Sequence, residues 1–127
     1  MAIALNHTIV HAHDARASAR FLTELFGLPD PVALFGHFQA VELQHGLSLD
    51  YADVAPGEEV VPQHYAFLVS EADFDEIFGR IQARGMEFWA DPGRTQPGEI
   101  ATWKGRGVYF LDPSGHFLEI ITEPYID

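Results

Sequence analysis

The sequence predicts an α+β fold built from two tandem modules, each with a strand, a helix and three further strands. Two observations support this prediction. The same order of strand and helix patterns occurs twice, and a polar connector rich in Pro and Glu joins the two occurrences. An internal repeat of this kind indicates that one supersecondary unit has been duplicated. We therefore expect a single domain over residues 1–127, with modules at about 1–53 and 63–127 and a connector at 54–62.

The first module opens with a β-branched pattern over residues 3–13 that predicts a strand. Asp14 is a suitable N-cap, and apolar side chains then recur at helical spacing as far as Leu25. Gly27 ends this helix. Short strand patterns follow at 31–34, 38–43 and 47–52, separated by glycine turns.

The second module repeats this order. A strand pattern at 64–69 runs into a capping-box signature at Ser70–Asp73, and a helix follows as far as Gly85. Further strands are predicted at 87–90, 108–111 and 117–122. The segment 91–104 between them lacks a clear pattern, and segments of this length often bind ligands. A plain crossover between strands is the alternative.

Composition limits the possible partners and ligands. The formal net charge is −12 with only seven Lys and Arg, which argues against nucleic acid or an anionic membrane surface as a partner. There is no apolar run long enough to span a bilayer, so a cytoplasmic protein with a small-molecule substrate is expected. The chain has no Cys, so any metal must be held by His and carboxylate groups.

The duplication pairs residues of the same chemistry. His7 and His64 each open the first strand of a module, and Asp50 and Glu119 each lie in the last strand. Glu119 stands within an apolar run, where a carboxylate is costly unless it is paired, hydrogen-bonded or bound to a metal. Taken singly, each His is more often a structural or surface residue. The matched positions of all four favour a common role.

Three stretches together resemble the vicinal-oxygen-chelate superfamily, which includes glyoxalase I, extradiol dioxygenases, fosfomycin-resistance transferases and bleomycin-resistance proteins. They are Leu-Asn-His-Thr-Ile-Val at 5–10, Gln-His-Tyr-Ala-Phe-Leu-Val at 63–69, and Asp-Pro-Ser-Gly-His with Leu-Glu-Ile at 112–120. The resemblance implies two βαβββ modules whose curled, mixed sheet forms a cup with the helices outside. It also implies a homodimer and a divalent metal.

Carried over to this chain, the resemblance gives His7, His64 and Glu119 as metal ligands, with Asp50 at the fourth position. Asp50 is shorter than the residue usual there, so it departs from the family pattern. Imidazole and carboxylate ligands suit Ni, Zn, Mn, Co or Fe(II). Strand alternation would point all four side chains away from the helices.

The number of ligands decides the expected chemistry. Four ligands favour a lyase or isomerase of the glyoxalase or epimerase type, in which the metal is a Lewis acid on vicinal substrate oxygens and Glu119 is the catalytic base. Three ligands suit an Fe(II) extradiol dioxygenase or a thiol transferase. A non-catalytic drug- or metal-binding protein, like the bleomycin-resistance proteins, is the third possibility. Asp50 would crowd a catechol and oxygen, so the first reading is preferred.

Four further residues are candidate substrate contacts. His11 shares a strand face with His7, and Arg94 and Trp103 lie in the irregular segment 91–104. Tyr109 could line the cavity, although aromatic packing is the commoner use of such a residue. A surface position is the simpler explanation for His11.

Overall fold

The computed structural model describes residues 1–126 and contains two helices and two mixed β-sheets, of four and three strands. The α+β prediction is therefore confirmed. Two compact units are present, one over Met1–Val61 and one from Pro62 onward. No helix within the described part of the chain is long and apolar enough to cross a membrane.

The first unit holds a four-stranded sheet and one helix. Its elements are β1 (His7–Ala12), α1 (Ala15–Phe26), β2 (Val32–Leu34), β3 (Phe38–Glu42) and β4 (Ser48–Asp53). Its sheet order is β1-β4-β3-β2, in which β1 and β4 are parallel and the other neighbours are antiparallel. The first strand begins at His7 rather than at residue 3 because the ladder with β4 begins there, at Ser48.

Side chains in the first unit alternate between two faces of the sheet. Val10 and Tyr51 are buried on one face, to which α1 contributes its own buried side chains. The opposite face of β1 is exposed and carries His7, Ile9 and His11. The two-residue period of the strand produces this separation, as the sequence predicted.

The second unit holds a three-stranded sheet and one helix. Its elements are β5 (His64–Leu68), α2 (Glu71–Ala83), β6 (Gly107–Leu111) and β7 (Phe117–Ile121). The sheet order is β5-β7-β6, with β5 parallel and β6 antiparallel to β7. The strand predicted at 87–90 is reduced to a bridge between Trp89 and Tyr109, with N–O distances of 3.0 and 2.8 Å. The ladder does not lengthen toward Asp91 because Gly107, which would pair with it, exchanges both of its backbone hydrogen bonds with Ala101.

The Asp112–Gly115 turn fixes the start of β7. Asp112 Oδ1 accepts from the backbone N–H groups of Ser114 and His116 at 2.9 and 2.8 Å. The buried His116 accepts the Gln63 N–H at Nδ1 over 2.9 Å, which ties this turn to the start of β5. The turn chemistry therefore sets where residues 64 and 119 lie relative to each other.

Candidate metal and substrate site

The two sheets place a His and a carboxylate in the same relative positions. In the parallel pair β1–β4, Asp50 lies opposite Ile9, two residues after His7. In the parallel pair β5–β7, Glu119 lies opposite Ala66, two residues after His64. Residues two apart share a strand face, so each unit brings one imidazole and one carboxylate to the same side of its sheet.

His64 and Glu119 form a close pair. His64 Nε2 lies 3.1 Å from Glu119 Oε1, and His64 Nδ1 lies 3.1 Å from the Phe117 carbonyl oxygen. A carbonyl oxygen can only accept, so Nδ1 carries a proton and donates it. In neutral His64, Nε2 then presents a lone pair to a carboxylate oxygen. Two acceptors at this distance require a shared proton or a cation. The bond from Nδ1 to a backbone carbonyl is one that metal-binding His residues commonly make.

Glu119 is almost completely buried, with 1% of its surface exposed. Its second oxygen, Oε2, accepts a hydrogen bond from the Tyr125 hydroxyl. The Tyr125 and Tyr109 hydroxyl oxygens are 3.3 Å apart, and the Tyr109 ring stacks on His64 at 5.7 Å. Burial, with the hydrogen bond to Glu119, raises the pKa of Tyr125 well above its ordinary value. Its hydroxyl therefore keeps its proton and remains a donor to Glu119.

His7 and Asp50 have matching local partners. His7 Nδ1 is 2.7 Å from Asn6 Oδ1, which accepts, so Nε2 of neutral His7 also bears the lone pair. Asp50 Oδ1 accepts from the Ser48 hydroxyl at 2.6 Å. His7 is exposed and Asp50 is half-buried. Sequence reasoning missed both Asn6 and Ser48, although each lies within two residues of the side chain that it orients.

Residues 1–126 contain no group of three or more His, Asp and Glu side chains already placed to hold a metal ion. Each unit by itself brings together two candidate ligands on one sheet face. The donor chemistry of these pairs fits a borderline or hard divalent cation. Binding of one metal by His7, His64, Glu119 and Asp50 therefore stays a prediction.

A cavity of about 440 Å³ in the second unit has the buried Glu119 as part of its lining. Trp103, Tyr109 and Tyr125 supply aromatic surface to its wall, and Lys104 and Arg106 supply positive charge. The Arg106 guanidinium is 2.7 Å from Glu71 and 2.9 Å from Asp75, so two carboxylates balance its charge. The cavity thus combines a flat aromatic lining with one buried acid.

The predicted substrate contacts have different surroundings. Tyr109 and Trp103 line this cavity, and 78% of the Trp103 surface is exposed. Arg94 lies over the rings of Trp89 and Phe117, with its guanidinium carbon 5.8 and 5.2 Å from their centroids. His11 lies on the exposed face of β1 in the first unit. Substrate contact by each of these four residues remains a prediction.

Tyr125 is a further site residue that sequence reasoning did not find. It follows β7 by four residues, and strand periodicity does not extend that far. Its hydroxyl reaches Glu119 only because the chain changes direction after Ile121. Pro124, which breaks the strand pattern just before an aromatic residue, is the one weak signal in the sequence.

The fold points to a known protein family. Residues 4–120 match the model of the glyoxalase/bleomycin resistance protein/dioxygenase superfamily, and the chain belongs to this family. The resemblance inferred from the three sequence stretches is confirmed.

Similar proteins of this family carry several activities in their names. The solved structures of oxidase ChaP-H1 and oxidase ChaP-H2 are each 55% identical with a TM-score of 0.93; the first match covers 99% of this chain and 100% of the relative, and the second 100% and 98%. Glutathione transferase FosA of Serratia marcescens is 32% identical over 119 residues, 91% of this chain and 78% of the relative. Lactoylglutathione lyase from Agrobacterium tumefaciens shares the fold at 22% identity and a TM-score of 0.68, over 93% of this chain and 92% of the relative.

Proposed function

We propose that this protein is a metal-dependent oxidase of a small organic molecule. The observation that carries the proposal is the 55% identity, over essentially the full length of both chains, to two structures named as oxidases. The His64–Glu119 pair supports it because two facing acceptors favour a bound cation. The proposal places oxidation above the lyase or isomerase chemistry that the sequence favoured.

We propose His7, His64 and Glu119 as the metal ligands, with Asp50 as a further ligand or as a partner through water. Two His and one carboxylate are the ligand set of non-haem Fe(II) oxygenases, so Fe(II) is the first metal to test, before Mn, Co, Ni and Zn. When bound, the metal would supply redox or Lewis-acid chemistry to substrate oxygens. The proposed assembly is a homodimer.

Other residues of the second unit would prepare the site. Phe117 fixes the His64 ring through its carbonyl, and Tyr109 stacks on the same ring. Because Glu119 is buried, bulk water is kept from its carboxylate, and its interaction with a cation is therefore stronger. Aromatic rings at Trp103 and Tyr109 offer flat surfaces to a planar substrate.

Lyase or isomerase chemistry is the second candidate, and Asp50 favours it. Asp50 has the same offset from His7 that Glu119 has from His64. A fourth ligand would leave two positions of an octahedral ion for vicinal substrate oxygens, with Glu119 available to take a proton. The transferase reading is less favoured because the Arg106 charge, which a phosphonate would need, is already balanced by Glu71 and Asp75.

The test compares three reactions on one preparation. Protein stripped with chelator is loaded anaerobically with Fe(II), Mn, Ni or Zn, and bound metal is measured by elemental analysis. Oxygen uptake is then followed with 2,3-dihydroxybiphenyl as an aromatic diol probe. Disappearance of the methylglyoxal–glutathione hemithioacetal tests the lyase reading, and glutathione addition to fosfomycin tests the transferase reading.

We expect metal-dependent oxygen uptake in the wild type that H64A lacks. Uptake that survives H64A, or hemithioacetal turnover without oxygen uptake, would contradict the oxidase proposal. A metal content near zero after loading with every ion would remove the metal-dependent reading altogether and leave a binding protein.

A further inference from the structure

We propose that Tyr125 is a positioning residue that makes Glu119 a single-oxygen metal ligand. The inference rests on the proposed function, in which Glu119 binds the metal. Tyr125 donates its hydroxyl proton to Glu119 Oε2, while Oε1 faces His64 Nε2 at 3.1 Å. The two carboxylate oxygens therefore have different partners. Oε2 accepts the hydrogen bond from the Tyr125 hydroxyl, and Oε1 faces the Nε2 atom of His64.

Contacts before Tyr125 and at Tyr125 itself hold the segment that carries this residue. Before Tyr125, Thr122 accepts the Arg106 N–H at 2.8 Å through its hydroxyl. At Tyr125 itself, the carbonyl oxygen lies 3.3 Å from Lys104 Nζ, and the ring lies 6.3 Å from Trp103. The hydroxyl is thus held over Glu119 by contacts that do not involve Glu119.

Gly105 shows how closely these segments approach each other. A Cβ atom at Gly105 would lie 2.5 Å from Thr122 Oγ1 and 2.6 Å from Glu123 Cγ. The loop therefore leaves the residues leading to Tyr125 little freedom to move toward it. A carboxylate held in this way by a hydroxyl donor is a common means of orienting a metal ligand.

The hydrogen bond from Tyr125 to Glu119 has a second interpretation, and the two interpretations predict opposite changes in metal affinity when the hydroxyl is removed. If Tyr125 only occupied the place of a metal, removing its hydroxyl would strengthen metal binding. If Tyr125 positions Glu119, removing its hydroxyl weakens metal binding, because the carboxylate loses its fixed orientation. The direction of the change in Kd therefore decides between them.

The test is Tyr125→Phe, which deletes one oxygen atom and keeps the ring. Tyr65→Phe is the matched control, since Tyr65 is adjacent to His64 on β5 and projects to the opposite face. We expect Y125F to raise the Kd for Mn(II) and Co(II) by about 10- to 100-fold, the range for outer-shell partners. We also expect a changed visible spectrum of the Co(II) form, and no change of either property in Y65F.

Each outcome has a defined meaning. Unchanged or tighter metal binding by folded Y125F, with metal binding intact in the wild type, overturns this inference and leaves the proposed function standing. A wild type that binds no metal overturns both. If Y125F does not fold, as judged by circular dichroism, Lys104→Met loosens the segment without touching the hydroxyl. It should then weaken metal binding several-fold, and an unchanged Kd overturns the inference.

Discussion

At the scale of single residues, Glu119 has neighbours of different kinds. His64 and Tyr125 occupy its two oxygens, and only Tyr125 is certain to bring a proton. Burying the Glu119 carboxylate costs desolvation free energy, and an ion pair with the half-exposed His64 seldom offsets this cost in full. The same arrangement favours a bound cation, so stability and metal affinity should respond in opposite directions to one substitution.

Glu119→Gln should therefore separate stability from metal binding. The Gln amide can donate to His64 Nε2 and its carbonyl can still accept from Tyr125. We expect the metal-free variant to unfold in urea with a free energy equal to the wild type or about 1 kcal/mol higher. Its metal affinity should fall by more than about 100-fold, beyond the range for outer-shell partners. E123Q removes the same charge at an exposed position and should change neither quantity. Loss of stability in E119Q without loss of metal affinity would contradict the assignment of Glu119 as a metal ligand.

Asp112 predicts a pH dependence of stability. Burial raises its pKa above the ordinary value of about 3.9, although hydrogen bonds from the His116 and Ser114 amides oppose the shift. Its Oδ2 atom is buried without a hydrogen-bond partner among the described residues. Because the folded state binds the proton more tightly, stability is present below the unfolded pKa and is lost as pH rises through the folded pKa.

The comparison is with Asp112→Asn, which does not titrate. The free energy of unfolding of the wild type, minus that of D112N, should decrease as pH rises above about 4 and should become constant once pH exceeds the folded-state pKa of Asp112. Urea unfolding at several pH values measures it. A difference that is constant, or that increases with pH, would show that Asp112 does not hold its proton in the folded state.

At the scale of elements, the irregular segments place the site as firmly as the strands do. The Asp112–Gly115 turn sets the start of β7, and the loop at Gly105 packs against the residues that lead to Tyr125. Gly105 and Gly36 both have positive φ, +63° and +71°, but of the two only Gly105 has neighbouring atoms within 4 Å of the place that a Cβ atom would take. These two glycines therefore separate backbone strain from a steric clash.

Gly105→Ala should cost more stability than Gly36→Ala. The Gly36 change adds only the strain of a left-handed residue, about 1 to 2 kcal/mol. The Gly105 change adds that strain and also pushes Thr122 and Glu123, so we expect about 1 to 3 kcal/mol more. Thermal and urea unfolding measure the difference. Equal losses in the two variants would mean that the segment after β7 moves aside freely.

At the scale of the whole molecule, the proposal requires residues of both sequence repeats to bind one kind of metal ion. Ligand binding to the folded state raises stability, by about 2.7 kcal/mol at a free metal concentration of 100 times Kd. Each repeat contributes one His at an equivalent strand position. A shared metal and two independent sites therefore predict different effects of removing one His.

His7→Ala and His64→Ala should each abolish the metal-induced increase in Tm. Elemental analysis should find one metal per chain in the wild type and almost none in either variant, and chelator should reverse the wild-type stabilisation. Half occupancy with a residual increase in Tm would instead indicate independent sites.

Sedimentation analysis of the same samples tests the proposed homodimer.

The sequence by itself determined the repeated module, the family and the four candidate ligands. Each of these depends on local pattern: period two brings residues such as His64 and Glu119 to a defined strand face, and turn residues such as Asp112 and Gly115 mark where strands start. The duplication supplied the pairing of positions, because a repeat places equivalent residues at equivalent positions. Such patterns can be interpreted without knowing which residues distant in the sequence are in contact.

Only the tertiary structure decided the partners of those residues. It reduced the strand predicted at 87–90 to one bridged residue, because Ala101 takes the hydrogen bonds of Gly107 that a longer ladder would need. It also brought Tyr125 onto Glu119. Both results depend on how irregular segments turn back on the sheet, and no periodicity encodes such a path. The sequence thus pointed to the acid, whereas the fold revealed which groups orient it.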